Sequence, residues 1–177
     1  MLSVLLLVGI SDAISQKLVE KQLDATRFER LIISSELINR LTILSGVTNQ
    51  IRIVNKVVGE NYENVIITTS EENKTLKIGL SYSPYFKPEN DKLAAHKIMS
   101  VDIELTIPNF LYVEVDTSIA SISVTGNYLN FQAYLENGDC ELNNFLGNAI
   151  ITTKKGNIKV GAKENVSGRA FSANGTV

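Results

Sequence analysis

Residues 112–130 read YVEVDTSIASISVTGNYLN, and the stretches after them read alike: FQAYLENGDCELNNFLGN (131–148), AIITTKKGNIKVGAKENVSG (149–168) and RAFSANGTV (169–177). Each runs a short alternating strand, a small polar turn, a second short strand and a Gly/Asn-rich corner. Ile122, Cys140, Ile158 and Val177 fall 18, 18 and 19 residues apart; Gly138, Gly156 and Gly175 fall 18 and 19 apart. Self-similarity at such a period belongs to stacked β-architecture, because one unit cannot bury its apolar face alone and must lay it on the next. The spacing predicts an all-β, single-domain β-solenoid: a stacked short-strand β-helix with 18–20-residue repeats in its C-terminal part. It names no ligand and no reaction.

Upstream the pattern is also period two. Residues 16–29 are mixed and charged and are read as an extended lead-in. Alternating segments follow at 31–34, 41–44 and 50–54, with turns at Asn39-Arg40, Ser45-Gly46 and Thr48-Asn49. Arg52 lies between Ile51 and Ile53, so alternation sends it to the solvent face. Residues 64–70 and 75–81, joined by Glu71-Glu72-Asn73-Lys74, read as a hairpin. Pro84 and Pro88 stop any strand in the irregular stretch 82–96. The longest alternating run is HKIMSVDIELTIP (96–108), in which Ser100 breaks the phase and predicts a bulge or a corner. Pro108-Asn109 then turns the chain into the repeats. No segment holds a 3.6-residue period, so almost no helix is expected.

At 177 residues the chain suits one domain with a real core. Its 17 Lys+Arg against 19 Asp+Glu leave no basic face, and no cationic run interleaves with aromatics, which argues against nucleic acid. The one cysteine, Cys140, has no disulfide partner and sits at an apolar repeat position, so it reads as an inert core residue. Residues 2–10 (LSVLLLVGI) are apolar and precede small residues that allow a cut after Ala13 or before Gln16. This reads as a signal peptide over 1–15, too short to span a bilayer, with the domain over 16–177. No Lys or Arg precedes that apolar core, so a buried first strand is the rival reading. No Cys follows it, which argues against a lipoprotein anchor there. Residues 174–177 fall in the middle of a fourth unit, so either an open C-terminal edge or a chain truncated there is expected.

The strand pair at 64–69 and 75–81, the block VDIELTIPNFLYVEVDTSIASISVTG (101–126) and the Gly/Asn-cornered units after it carry a family likeness. Over about residues 25–177 the chain resembles the auto-transporter adhesin, head GIN domain family of bacterial envelope proteins. The resemblance implies a periplasmic or cell-surface protein, adhesin-like and not an enzyme, with an envelope protein or a glycan as partner. It brings no catalytic residues with it. The chain departs from the family in its weak Gly-Ser-Gly corners.

No constellation for catalysis, cofactor or metal stands out. His96 is the only histidine, and nothing places it beside Cys140 or an activated serine. Asp102 and Glu104 share one face of an alternating strand, which is read as the solvated one. Asp116, Glu136, Asp139 and Glu141 could form an acidic ladder across units, but no calcium-binding nonapeptide or EF-hand loop is present. The glycines occur singly, as turn residues, not in a phosphate-cradling loop. The one candidate partner-binding element is the loop carrying Tyr82, Tyr85 and Phe86: three aromatics within five residues of a chain that is only 7% aromatic. Rigid aromatics in a loop suit carbohydrate or protein contact; alternatively they cover apolar core. The expected function is that of a non-enzymatic exported envelope or surface protein. The rivals are a carbohydrate-active β-helix enzyme and a cytoplasmic polymerising β-helix scaffold.

Overall fold

A computed structural model describes residues 16–87, 99–164 and 166–177. The segment read as a signal peptide, and His96, lie outside the described residues. Among the described residues there are twelve strands: β1 (Gln16–Asp24), β2 (Arg30–Ser34), β3 (Arg40–Gly46), β4 (Gln50–Gly59), β5 (Val65–Glu72), β6 (Thr75–Tyr82), β7 (Met99–Pro108), β8 (Tyr112–Ile119), β9 (Ser121–Asn137), β10 (Cys140–Lys155), β11 (Ile158–Ala162) and β12 (Ser167–Asn174). Among the described residues the one helical piece is a 3-10 turn, Tyr62–Asn64. The lead-in at 16–24 is itself a strand, antiparallel to β4.

All twelve strands belong to one sheet. The sheet is built on β9 and β10, each long enough to serve two ladders. Residues 121–125 of β9 pair with β3, while residues 130–137 pair with β8. In β10, residues 140–142 pair with β11 and residues 148–155 with β12. Two arms result. One runs β1-β4-β7-β3 into the first halves of β9 and β10 and ends at β11. The other runs β5-β6-β2-β8 into the second halves and ends at β12. Each long strand bends at a glycine with positive φ: Gly126 (φ 115) and Gly147 (φ 136). A Cβ on Gly147 would sit 2.2 Å from the Tyr128 carbonyl oxygen, so the bend also needs the missing side chain.

The curled sheet brings the inner rows of both arms into one apolar core. In the first arm Leu41, Ile103, Ile122, Cys140 and Ile158 face inward; in the second Leu31, Val113, Phe131 and Ala149 do so. Where the bend leaves room, Tyr128, Phe131 and Phe145 fill it, Tyr128 and Phe145 stacking at 5.4 Å between centroids. Burial pushes the Tyr128 phenol well above its ordinary value, and its oxygen lies 3.1 Å from the Ile43 carbonyl.

The 18-residue spacing is a ladder register. Cys140 lies directly opposite Ile122 on one side and Ile158 on the other, in parallel pairs. Val177 keeps the register: the Ile158 N–H donates to the Thr176 carbonyl at 2.8 Å, as the Ile122 N–H does to Asp139 and the Cys140 N–H to Asn157. It does not join the buried row, being 71% exposed. The hairpin β5–β6 forms as read, but Glu71 and Glu72 belong to the strand; the turn is Asn73-Lys74, both with positive φ. No bulge occurs at Ser100. From Gly59↔Met99 to Arg52↔Thr106 the pairing runs without a shift, because Val101, Ile103, Leu105 and Ile107 keep a single phase.

Candidate functional site

The aromatic loop grows out of the inner row of β6. Leu76, Ile78 and Leu80 point inward, and Tyr82 is the next member of that row. It therefore packs, partly buried, against the core. Ser83 fixes the exit: its N–H donates to the Asn64 carbonyl at 2.7 Å, and its hydroxyl lies 3.3 Å from Asn64 Oδ1. The Phe86 N–H then donates to the Ser83 carbonyl at 3.0 Å, closing a turn over Pro84 and Tyr85. That turn returns the Phe86 ring to Tyr82, 5.2 Å between centroids. Tyr85 is left at the tip, 99% exposed.

The three residues thus divide. Tyr82 and Phe86 form a half-buried base, and Tyr85 stands free above it. Tyr62, also packed against the core, and Asn64 belong to the same corner through the 3-10 turn. The sequence reading missed these two. Counting back through the hairpin from Asn73-Lys74 reaches them, since Val65 pairs with Tyr82.

The other residues considered for chemistry are dispersed. Asp102 faces Arg40 at 3.5 Å. Glu136 is held by Lys154 at 2.5 Å and Glu141 by Lys159 at 2.7 Å, and each lysine keeps its carboxylate below the usual range. Asp139 accepts the Asn157 N–H at 2.7 Å, so it serves as a corner cap. Of the four carboxylates that could have made an acidic ladder, Glu136 and Glu141 instead form acid–base pairs with lysines 18 residues on. Among the described residues no three of His, Cys, Asp and Glu gather as metal ligands would. Cys140 is buried, and burial raises its thiol to about 12, which leaves it protonated and unreactive at neutral pH. Among the described residues no helix is long and apolar enough to cross a membrane.

No family model matches the chain, and no curated protein matches it. Among solved structures the chain is similar to a "putative cell adhesion protein" from Clostridium sporogenes, with TM-score 0.63 and 11% identity, over 92% of this chain and 97% of that one. It also aligns with "putative adhesin" structures from Bacteroides fragilis (TM-score 0.31, 11% identity, 92% and 98% covered) and Parabacteroides merdae (TM-score 0.26, 11% identity, 91% and 96% covered). The last two TM-scores are too low to carry an argument; the first is a likeness of fold.

Proposed function

We propose that this chain is an exported, non-enzymatic protein of adhesin-like type, wound as a β-solenoid and acting by surface contact at a bacterial envelope. The observation that carries the reading is Tyr85. A large aromatic side chain held entirely in water by a hydrogen-bonded turn, on a base anchored in the core, is built to meet something outside the molecule. The parallel register at 18-residue offsets supports the solenoid winding. The likeness of fold to the Clostridium sporogenes protein supports the adhesin-like reading by analogy of architecture. Export rests on the apolar run at 2–10 and the small residues after it.

Two measurements test this. Protein recovered from the fractionated native host should begin at Ile14 or Gln16 and lie outside the cytosol; an intact Met1 on cytosolic protein overturns export. Tyr85→Ser should leave the melting curve in place and weaken attachment of protein-coated beads to the host's envelope fraction. Unchanged attachment removes the loop as the contact.

A further inference from the structure

The outer face of the second arm carries a row of side chains that no core requires. Alternation along β8, β9, β10 and β12 sends residues 112–118, 130–136, 148–154 and 167–173 outward at every second position. Parallel pairing then aligns them across the strands. Ser34 lies opposite Asp116, Asp116 opposite Tyr134, Tyr134 opposite Thr152, and Thr152 opposite Phe171. Tyr134 is 42% exposed and Phe171 60%, with Ile150 at 39% in the neighbouring row between them. Gln132 and Arg169 flank Ile150 in that row, and the Tyr134 hydroxyl lies 3.4 Å from Gln132 Oε1.

The same row ends, beyond Ser34, in a hollow of about 250 Å³ bordered by Ile32, Ser34, Thr68, Ser70 and Lys77. Gly79 makes it: a Cβ there would come 3.0 Å from the Ser34 carbonyl oxygen and 3.1 Å from Thr68 Oγ1. A second hollow, of about 150 Å³, opens beside Ser34 and Asp116. Two concavities and two exposed rings therefore lie in one line across the strands.

We infer that this line is a binding surface for an extended, uncharged glycan chain running perpendicular to the strands. Charge selects the neutral partner. Arg30, Lys77, Lys154 and Arg169 on this face are matched by Glu72, Glu114, Asp116 and Glu136, and Arg30–Glu114, Lys77–Glu72 and Lys154–Glu136 are direct ion pairs, which leaves Glu36 beside the second hollow as the one excess charge. A face whose charge so nearly cancels offers little field to a polyanion or a polycation. A bilayer or an apolar protein would need a continuous apolar patch, whereas Thr152 separates these rings and Gln132 and Arg169 bracket Ile150 beside them. A sugar ring has an apolar C–H face and a rim of hydroxyls, which suits aromatic faces set between amide, hydroxyl and guanidinium groups. Tyr134 and Phe171 are two strand spacings apart, about 9.6 Å, roughly the advance of two pyranose rings along an extended chain. The hydroxyl-lined hollow at Gly79 takes the chain onward. This surface is separate from the Tyr85 loop, and its function does not depend on that loop.

Affinity gel electrophoresis of the full chain tests it, with a neutral β-glucan, a xylan, a mannan and, as charged control, alginate cast in the gels. At least one neutral polysaccharide should retard the protein and alginate should not. The double change Tyr134→Ala and Phe171→Ala should weaken that retardation about tenfold, equivalent to about 1.4 kcal/mol, with an unchanged melting curve. Leu18→Ala, on the exposed outer face of the other arm, should leave it intact. If no neutral polysaccharide retards the protein, if alginate alone does, or if the double variant migrates as wild type, the inference fails.

Discussion

Residues 112–177 and residues 16–108 use the same strands to opposite effect. In the C-terminal region a strand's neighbour in space is one coil away in sequence, as Ile122, Cys140 and Ile158 show. In the N-terminal region, the β5–β6 hairpin apart, neighbours are remote: Arg30 pairs with Tyr112, and Leu41 with both Ile103 and Ile122. The ends differ too. At the N-terminal end two antiparallel pairs, β1–β4 and β5–β6, form the rims of the two arms. Lys17 reaches from β1 to the carbonyls of Glu63 (2.9 Å) and Val65 (3.0 Å), and Lys21 to Thr69 Oγ1 (2.5 Å). Those lysines cover a strand edge that would otherwise be open to pairing. At β11 and β12 the ladders remain parallel, and all of β11 after Ile158 is exposed. One region is laddered between strands about 18 residues apart; the other is a closure assembled largely from distant pieces.

The contrast can be broken most directly in the core. Leu41 is fully buried with a strand on either side, whereas Ile158 has a strand on one side only. Leu41→Asp should cost on the order of 4 kcal/mol or more and unfold the whole chain. Ile158→Asp should be milder, loosening β11 and β12 while the rest still melts cooperatively. Hydrogen exchange resolved by residue would show this, and equal global unfolding by both would mean that the regions are one cooperative unit.

Gly138→Ala probes the C-terminal region alone. Its φ is +137, and the new Cβ would lie 1.9 Å from the Ala120 carbonyl oxygen. A loss of about 3 kcal/mol in denaturant titration is expected; Gly46→Ala, with nothing within 4 Å, should lose far less. Matching losses would remove the close stacking of coils as a determinant.

In the assembled region, Tyr82→Ser together with Phe86→Ser should lower stability by about 2 kcal/mol, since both rings are half-buried. Tyr85→Ser should not. If all three changes prove silent, the loop is no part of the closure.

The smallest effects are electrostatic. Arg52 beside Glu20 holds that carboxyl down at about 2, and lysines hold Glu72, Glu136 and Glu141 below their ordinary 4.5. Carboxyls depressed by folding stabilise fully above the ordinary value and lose that contribution as pH falls through their folded values. The melting temperature should therefore be flat from neutral pH to about 5 and decline gently between about 4.5 and 2. The pairs are exposed, so added salt should shrink the decline in both regions. A steep fall above pH 5 would point to a different titrating group.

What could be read from the sequence follows the same division. The row Ile122–Cys140–Ile158 was legible because its register equals a spacing that can be counted along the chain. The pairing of Leu41 with Ile103 was not, because alternation marks which face a residue takes and says nothing of which strand lies beside it. Of the aromatic loop, the residues were evident, but not their division, since Tyr82 packs inward through the phase of β6 and only the Ser83–Asn64 hydrogen bonds set the turn. Tyr134 and Phe171 looked like ordinary surface residues 37 positions apart, and only the ladders put them in one row.

The corner glycines carry a further consequence. Gly138, Gly156 and Gly175 each lie against a carbonyl of the coil before: Ala120, Gly138 and Gly156 in turn. A frame of identical contacts makes the length of this region a quantity that changes in whole steps. Excising residues 139–156 would bring Gly138 and residue 157 together with every later corner still facing an acceptable neighbour. Deleting a single residue inside a paired strand would throw the next glycine out of line, whereas the loop after Ala162 absorbs the one extra residue between Gly156 and Gly175. Insertions and deletions in relatives of this chain should therefore cluster at multiples of one coil after Tyr112, and be irregular before it.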